Sequence, residues 1–165
     1  MIVLGIDPGT ANTGYGVVLS HGQRMAALDG GVIATNSGQP LERRLSHIHA
    51  RISDLIVEHK PQALAVEDLF FGQNARSAFS VGQARGVVML SGGMHGVPCY
   101  SYTPQAVKQA VCGSGRAEKD QVQRMVAALL ALPEPPRVDH AADALAVAIC
   151  HANGAGLRTA LGSAS

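Results

Sequence analysis

The chain has 165 residues, 47% of them hydrophobic, which is enough to bury one good core and predicts one domain. Its formal net charge of +1 excludes a protein that binds nucleic acid through a basic field over its whole surface. A local patch stays possible, because residues 72–124 carry six Lys and Arg against two acids, whereas residues 1–71 carry five against seven.

The cysteines and the hydropathy pattern bear on the compartment. Cys99, Cys112 and Cys150 are odd in number and widely spaced, which favours buried thiols over disulfides or zinc. The chain begins directly with a strand pattern, and no apolar run approaches the roughly 18 residues of a membrane span. We therefore expect a cytoplasmic protein without a membrane partner.

The first predicted element is a central strand, an apolar run from Ile2 to Ile6 that is closed by Pro8-Gly9. Asp7 lies at its C-terminal end. A carboxylate beside a buried strand needs a metal, an arginine or a cationic ligand, unless it simply caps the following turn. Both interpretations stay open from this stretch alone.

The next elements are predicted to be strands at Tyr15–Ser20 and Arg24–Ala34, joined by a tight hairpin at His21-Gly22 and therefore antiparallel. Pro40 fits the first turn of an amphipathic helix that ends before Pro61.

A second buried strand, Ala63–Val66, is followed by Glu67-Asp68. Because it follows a helix, this strand most simply lies parallel to the first, through a right-handed crossover. The Asp7 and Glu67 carboxylates would then converge at one edge of the sheet, within reach of a bridging metal.

The middle of the chain is predicted to contain a loop with Phe70-Phe71, followed by a helix from Ala75 to Met94. This helix is rich in small residues, which favour a packed or dimeric interface, and is interrupted at Gly92-Gly93. A strand at Val97–Ser101 and a helix at Pro104–Val111, which carries Lys108, come next.

Gly113-Ser114-Gly115 predicts a turn, followed by Arg116 and Lys119 at the start of a further helix. Glycines beside basic residues at a helix N-terminus suggest a phosphate contact, although such groups are also common on ordinary surfaces. The three prolines between residues 132 and 138 predict a loop.

The last helix is expected from Asp139 to about Asn153. His140 and Asp143 can share one face, as can Asp139 and Asp143, although these residues also suit a helix start. Asp143 is surrounded by alanines and needs a partner, for which a divalent cation shared with Asp7 and Glu67 is the most economical choice. We expect a single domain over residues 1–156 and a flexible tail over residues 157–165.

Several blocks of sequence together resemble the ribonuclease-H-like superfamily and, within it, the RuvC family of Holliday-junction resolvases. They are Gly5–Gly9, Gly14–Val17, Val66-Glu67, Gly82–Gly86, Val107–Gln109, Ala117–Val122 and Ala141–Ala146.

This resemblance implies an α/β fold with a mixed five-stranded sheet, three strands antiparallel and two parallel, flanked by helices. It also implies a homodimer that nicks four-way DNA junctions in recombination and repair, leaving 5′-phosphate and 3′-hydroxyl ends. The cofactor would be Mg²⁺, two ions in each active site, with Mn²⁺ as a substitute. A branch-migration complex of the RuvA and RuvB type would be a partner.

The resemblance places Asp7, Glu67 and Asp143 on the family's metal-binding carboxylates. His140 falls where many members carry a further Asp, and Asp139 lies one position away. His140 is therefore a candidate catalytic residue, but whether it binds metal directly or Asp139 has a role stays open.

The candidate DNA-binding residues follow in the same way. Phe70 matches an aromatic residue that stacks near the junction centre, and Lys108 and Lys119 match basic residues that contact DNA. Arg76 and Arg116 are added from the basic segment.

Three other functions fit parts of the pattern. A YqgF-type RNA nuclease shares the fold, and Gly5–Thr10 also resembles the phosphate loop of actin-like ATPases and sugar kinases, which need two such lobes. A non-catalytic junction-binding protein predicts at least one broken acidic position, and none is visible.

Overall fold

The computed structural model describes residues 1–68 and 74–162. The elements are β1 (Ile2–Asp7), β2 (Asn12–His21), β3 (Arg24–Ala34), α1 (Leu41–His59), β4 (Ala63–Glu67), α2 (Ala75–Met94), β5 (Cys99–Tyr102), α3 (Pro104–Cys112), α4 (Lys119–Leu129) and α5 (Asp139–Gly162). Among these helices, none is both long and apolar enough to cross a membrane.

The strands form one five-stranded sheet in the order β3-β2-β1-β4-β5. Strands β1 to β3 are antiparallel, whereas β4 pairs in parallel with both β1 and β5. This is the mixed sheet that the sequence predicted. Strand β1 lies at its centre, where Val3, Leu4 and Ile6 are completely buried. These side chains are buried because helices cover both faces of the strand. The apolar run without alternating polar residues is typical of such a strand.

Helix α5 covers one face of the sheet, with Val147 and Ile149 in the same core as Val3. Helices α1 and α2 cover the other face, where Ile48, Ile52 and Val88 pack with Leu4 and Ile6. The amphipathic stripe of α1 therefore forms the core contact expected from its three- and four-residue spacing.

Two glycines bring α5 unusually close to the sheet. A Cβ atom at Gly5 would overlap the carbonyl oxygen of Ala144, and one at Gly14 would overlap that of His140. Any larger residue would push the start of α5 away from β1 and β2. These glycines therefore set the height and rotation of the helix that carries His140 and Asp143.

Several predicted boundaries were wrong. The hairpin turn is Gly22-Gln23, because His21 pairs with Arg24. Strand β5 begins at Cys99 rather than Val97, since Pro98 has no amide hydrogen to donate. Helix α2 is not interrupted at Gly92-Gly93, because Gly92 lets the helix approach Val97 and Cys99.

The predicted end of the last helix at about Asn153 was also wrong, since α5 continues to Gly162. No proline stops it, and alanine and leucine sustain the helix beyond Gly154 and Gly156. The division into a domain over residues 1–156 and a flexible tail stays a prediction.

Candidate active site

The carboxyl ends of β1 and β4 place two acidic side chains together. Ile6 is in register with Val66, so Asp7 and Glu67 leave the sheet side by side. Their side chains share a hydrogen bond. The parallel pairing of these two strands thus brings together residues that are 60 positions apart in the sequence.

The start of α5 contributes two further groups. His140 Nδ1 lies 2.9 Å from Asp7 Oδ2, and the side chain of Asp7 is only 18% exposed. Asp143 lies three residues further along α5 and interacts electrostatically with Asp7. Asp7 is therefore the central member of a group formed with Glu67, His140 and Asp143, which we call the acidic cluster.

Burial and like charge make the acidic cluster unfavourable on its own. Desolvation, the charge of Asp7 and the hydrogen bond to Asp7 raise the pKa of Glu67 to about 8, although Lys108 opposes this. Burial and the charge of Asp7 also raise the pKa of Asp143, against the influence of Lys119 and His140. A bound cation would relieve this repulsion and stabilise the charged carboxylates.

The donors of the acidic cluster suit a divalent metal, because three carboxylates and one imidazole are ligands of Mg²⁺ or Mn²⁺. Within the described residues, however, no three such side chains already surround one point at metal-binding distance. Asp7 instead contacts His140 and Glu67. Metal binding would replace these contacts, and the donor types of the acidic cluster fit a divalent metal.

Asp139 contacts α4 rather than Asp7. Its Oδ2 lies 3.0 Å from Lys119 Nζ, and its Oδ1 accepts a hydrogen bond from Gln123 Nε2 at 2.9 Å. The hydrogen bonds from Lys119 and Gln123 hold the pKa of Asp139 below its ordinary value. His140, rather than Asp139, is therefore the residue beside Asp7.

Basic side chains flank the acidic cluster on two sides. A cavity of about 250 Å³ is lined by Glu67 and Asp143 together with Lys108 and Lys119. A second cavity of about 520 Å³ runs past Asp7 and His140 to Arg76. Arg116 lines neither cavity, but it is exposed three residues before Lys119. Phe70 lies outside the described residues.

Sequence reasoning missed two residues near this site. Gln123 was not singled out, although it follows Lys119 at the i,i+4 spacing that places two side chains on one helix face. Arg85 belongs to the Gly82–Gly86 block of the family resemblance but was given no role, whereas it reaches Asp68, the residue after Glu67, with Nη2 3.6 Å from Asp68 Oδ1. Only the packing of α2 against the sheet reveals that contact.

We expect Glu67→Gln to stabilise the metal-free protein. The carboxyl titrates at about 8 when folded, against an ordinary value of 4.5. The folded state therefore binds more protons across this window, and stability falls as pH rises through it. Glutamine removes this loss, so the unfolding free energy should increase by about 1–3 kcal/mol above pH 8 and by less near pH 5.

Thermal melts in EDTA at both pH values measure this effect. Glu42→Gln, an exposed change on α1, is the matched control. A gain of equal size at both pH values would show that repulsion within the acidic cluster is not its source.

A family model described as crossover junction endodeoxyribonuclease RuvC matches residues 3–151. The chain is 52% identical to the protein of that name from Pelotomaculum thermopropionicum over 153 residues, 93% of each chain. It is 54% identical to that from Moorella thermoacetica, over 93% of this chain and 92% of the relative.

A solved structure gives the same result for the fold. The structure of Thermus thermophilus RuvC in complex with Holliday junction substrate superposes with a TM-score of 0.91 at 42% identity. The match covers 96% of this chain and 97% of the other.

Proposed function

The chain belongs to the RuvC family of crossover junction endodeoxyribonucleases, and from this premise we propose that it resolves four-way DNA junctions by paired hydrolysis of phosphodiester bonds. The observation that carries the proposal is the acidic cluster, in which Asp7 contacts both His140 and Glu67. Its members line two cavities, one shared with Lys108 and Lys119 and the other with Arg76. The likeness to the Thermus structure with junction DNA supports the choice of substrate.

The decisive experiment offers the protein a synthetic four-way junction, a linear duplex and an RNA–DNA hybrid in Mg²⁺ or Mn²⁺. Symmetric paired nicks in the junction alone are the expected result. Cleavage of the hybrid would favour a YqgF-type RNA nuclease, and binding without cleavage a non-catalytic protein. ATP hydrolysis would favour the phosphotransferase.

Nucleases of this family depend on a divalent metal, and we propose Mg²⁺, two ions in each site, with Mn²⁺ as a substitute. Asp7, Glu67, Asp143 and His140 would hold them. Bound there, the metal would supply activation of the attacking water and stabilisation of the leaving 3′ oxygen, and the products would carry 5′-phosphate and 3′-hydroxyl ends. The protein itself would position the metal ligands, hold the scissile phosphate between the two cavities, and neutralise the neighbouring phosphates with its basic side chains.

His140→Asp tests the imidazole as a ligand. A site with a nitrogen donor favours Mn²⁺ more than an all-carboxylate site does. The substitution should therefore lower the cleavage rate in Mn²⁺, relative to that in Mg²⁺, several-fold. Single-turnover rates in each metal give the ratio. His47→Asp, an exposed change on α1, controls for a general effect of the added charge. An unchanged ratio would place His140 outside the metal shell.

Lys108, Lys119, Arg76 and Arg116 are proposed to bind DNA phosphates. Lys108 and Lys119 line the cavity that holds Glu67 and Asp143, and Arg76 lines the other cavity. The support for Arg116 is only its exposed position before α4. Phe70 is proposed to stack on unpaired bases at the junction centre, worth about 1–3 kcal/mol per base.

Lys108→Ala should weaken junction binding and reduce the slope of log K against log salt by about one unit, because one phosphate contact is lost. Titrations at several salt concentrations, in Ca²⁺ to prevent cleavage, measure this slope. Arg43→Ala removes an exposed positive charge from α1 and should leave it unchanged. Equal slopes for Lys108→Ala and wild type would place Lys108 away from the phosphates.

We also propose a homodimer formed through α2. Phe79, Leu90 and Met94 on this helix are 71%, 57% and 67% exposed, and a Cβ added at Gly86 or Gly93 would meet only open space. This apolar face with small residues suits close packing against a second copy. A two-fold dimer would present two active sites to a two-fold symmetric junction.

Two further expectations stay predictions. They are a branch-migration complex of the RuvA and RuvB type as a partner, and a cytoplasmic location.

A further inference from the structure

Arg85 links α2 to the strand ends beside the acidic cluster. Its side chain is 21% exposed, and its Nη2 lies 3.6 Å from Asp68 Oδ1 while donating a hydrogen bond to Ser101 Oγ. Asp68 directly follows Glu67, and Ser101 lies on β5. One guanidinium therefore joins three elements at the edge of the sheet where the site is built.

The register of the sheet shows why this contact matters for Glu67. Ser101 is paired with Val66, and Tyr102 with Glu67. The backbone N–H of Asp68 donates to the carbonyl of Tyr102 at 2.8 Å, which extends the pairing by one residue. Arg85 thus contacts the residue that follows Glu67 and the β5 residue that is paired with Val66, which precedes Glu67.

Stability alone does not favour an arginine at this position. Arg85 Nε is buried and has no hydrogen-bond partner among the residues that the structure describes. A buried donor without an acceptor carries a desolvation cost, which an apolar side chain of similar length would avoid. What arginine provides instead is two separate nitrogen donors: Nη2 contacts the carboxylate and the hydroxyl, while Nη1 donates to Met89 Sδ on α2. The single ammonium of lysine lacks this second anchor.

We propose that Arg85 is a positioning residue for the nuclease reaction: through Asp68 and Ser101 it holds the end of β4 so that Glu67 stays beside Asp7. The inference rests on the proposed function. Arg85 acts on the geometry of the ligands and contacts neither the metal nor DNA.

The test compares Arg85→Met, which keeps length and apolar contact, with Arg85→Lys, which keeps only the charge. Arg85→Met should lower the single-turnover cleavage rate at saturating protein about tenfold and weaken Mn²⁺ binding, measured by calorimetry without DNA, several-fold. Junction affinity in Ca²⁺ should stay within about twofold. Arg85→Lys should recover part of the rate.

Arg51→Met is the matched control, since it removes an arginine that pairs with Asp54 on the exposed face of α1. It should change none of these quantities. Asp68→Asn and Ser101→Ala approach the contact from the other side, and they serve as the test if Arg85→Met fails to fold. Each substitution should lower the cleavage rate of the wild-type protein. The same substitution should lower the rate of the Arg85→Lys protein by a smaller factor, because part of the contact is already lost there.

The outcomes separate the two proposals. Cleavage and Mn²⁺ affinity at wild-type levels in Arg85→Met would overturn the positioning role. A loss that appears only in junction affinity would make Arg85 a DNA contact and overturn it equally. Absence of cleavage by the wild-type protein itself would instead reject the proposed function, and the Mn²⁺ calorimetry would still decide the role of Arg85.

Discussion

Asp7→Asn should abolish junction cleavage, with a loss of about 10³-fold or more, while junction binding changes little. Asp7 is the central member of the acidic cluster, where His140 lies 2.9 Å away and Glu67 shares a hydrogen bond with it. Asparagine keeps the shape of the side chain but removes the negative charge with which we propose that Asp7 attracts a metal. Single-turnover cleavage of a labelled four-way junction in Mg²⁺ and in Mn²⁺ measures the loss.

Asp54→Asn is the appropriate control, because its side chain is 66% exposed on α1. It should cleave at the wild-type rate. Cleavage by Asp7→Asn within about tenfold of wild type would refute the metal role of Asp7. Equal losses of cleavage and of binding would instead assign Asp7 to DNA recognition. A melting temperature close to that of wild type is needed before either conclusion.

Leu90→Glu should convert the proposed dimer into a monomer at micromolar concentration and remove paired nicking. Leu90 is 57% exposed in the middle of the apolar face of α2. Because a two-fold interface uses the same surface of both copies, one substitution places two like charges in it. Desolvating them without partners would cost several kcal/mol. Analytical ultracentrifugation gives the oligomeric state, and cleavage of a junction held in a supercoiled plasmid distinguishes paired from single nicks.

Val57→Glu makes the same kind of change at a residue that is 63% exposed on α1. It should leave both the oligomeric state and the paired nicks unchanged. A Leu90→Glu protein that stays dimeric would show that α2 does not form the interface. A wild-type monomer that still makes paired nicks would reject the dimer altogether.

Much of the fold and part of the candidate site follow from sequence patterns. The unbroken apolar runs at β1 and β4 predict buried parallel strands, and the helix between them predicts that both strands end at one edge. Asp7 and Glu67 are then neighbours by geometry alone. The boundaries were less predictable: the ends of α5 and β5 depend on weak local preferences that packing and pairing override.

The choice between Asp139 and His140 illustrates what spacing leaves open. Both residues lie within about one helical turn of Asp143, so either satisfies the pattern of a shared face. The structure places His140 beside Asp7 and Asp139 beside Lys119 and Gln123. This rotation of α5 depends on close contacts at Gly5 and Gly14, in strands that are distant in the sequence.

Sequence patterns were therefore enough to predict the order of the elements, the antiparallel hairpin of β2 and β3, the parallel pairing of β1 with β4, and the edge at which Asp7 and Glu67 meet. These follow from hydrophobic periodicity and chain connectivity, which are local properties. The position of His140 beside Asp7, and the contact of Arg85 with Asp68 and Ser101, became evident only in the folded chain. Those contacts depend on how helices rotate and pack against the sheet, which no local pattern contains.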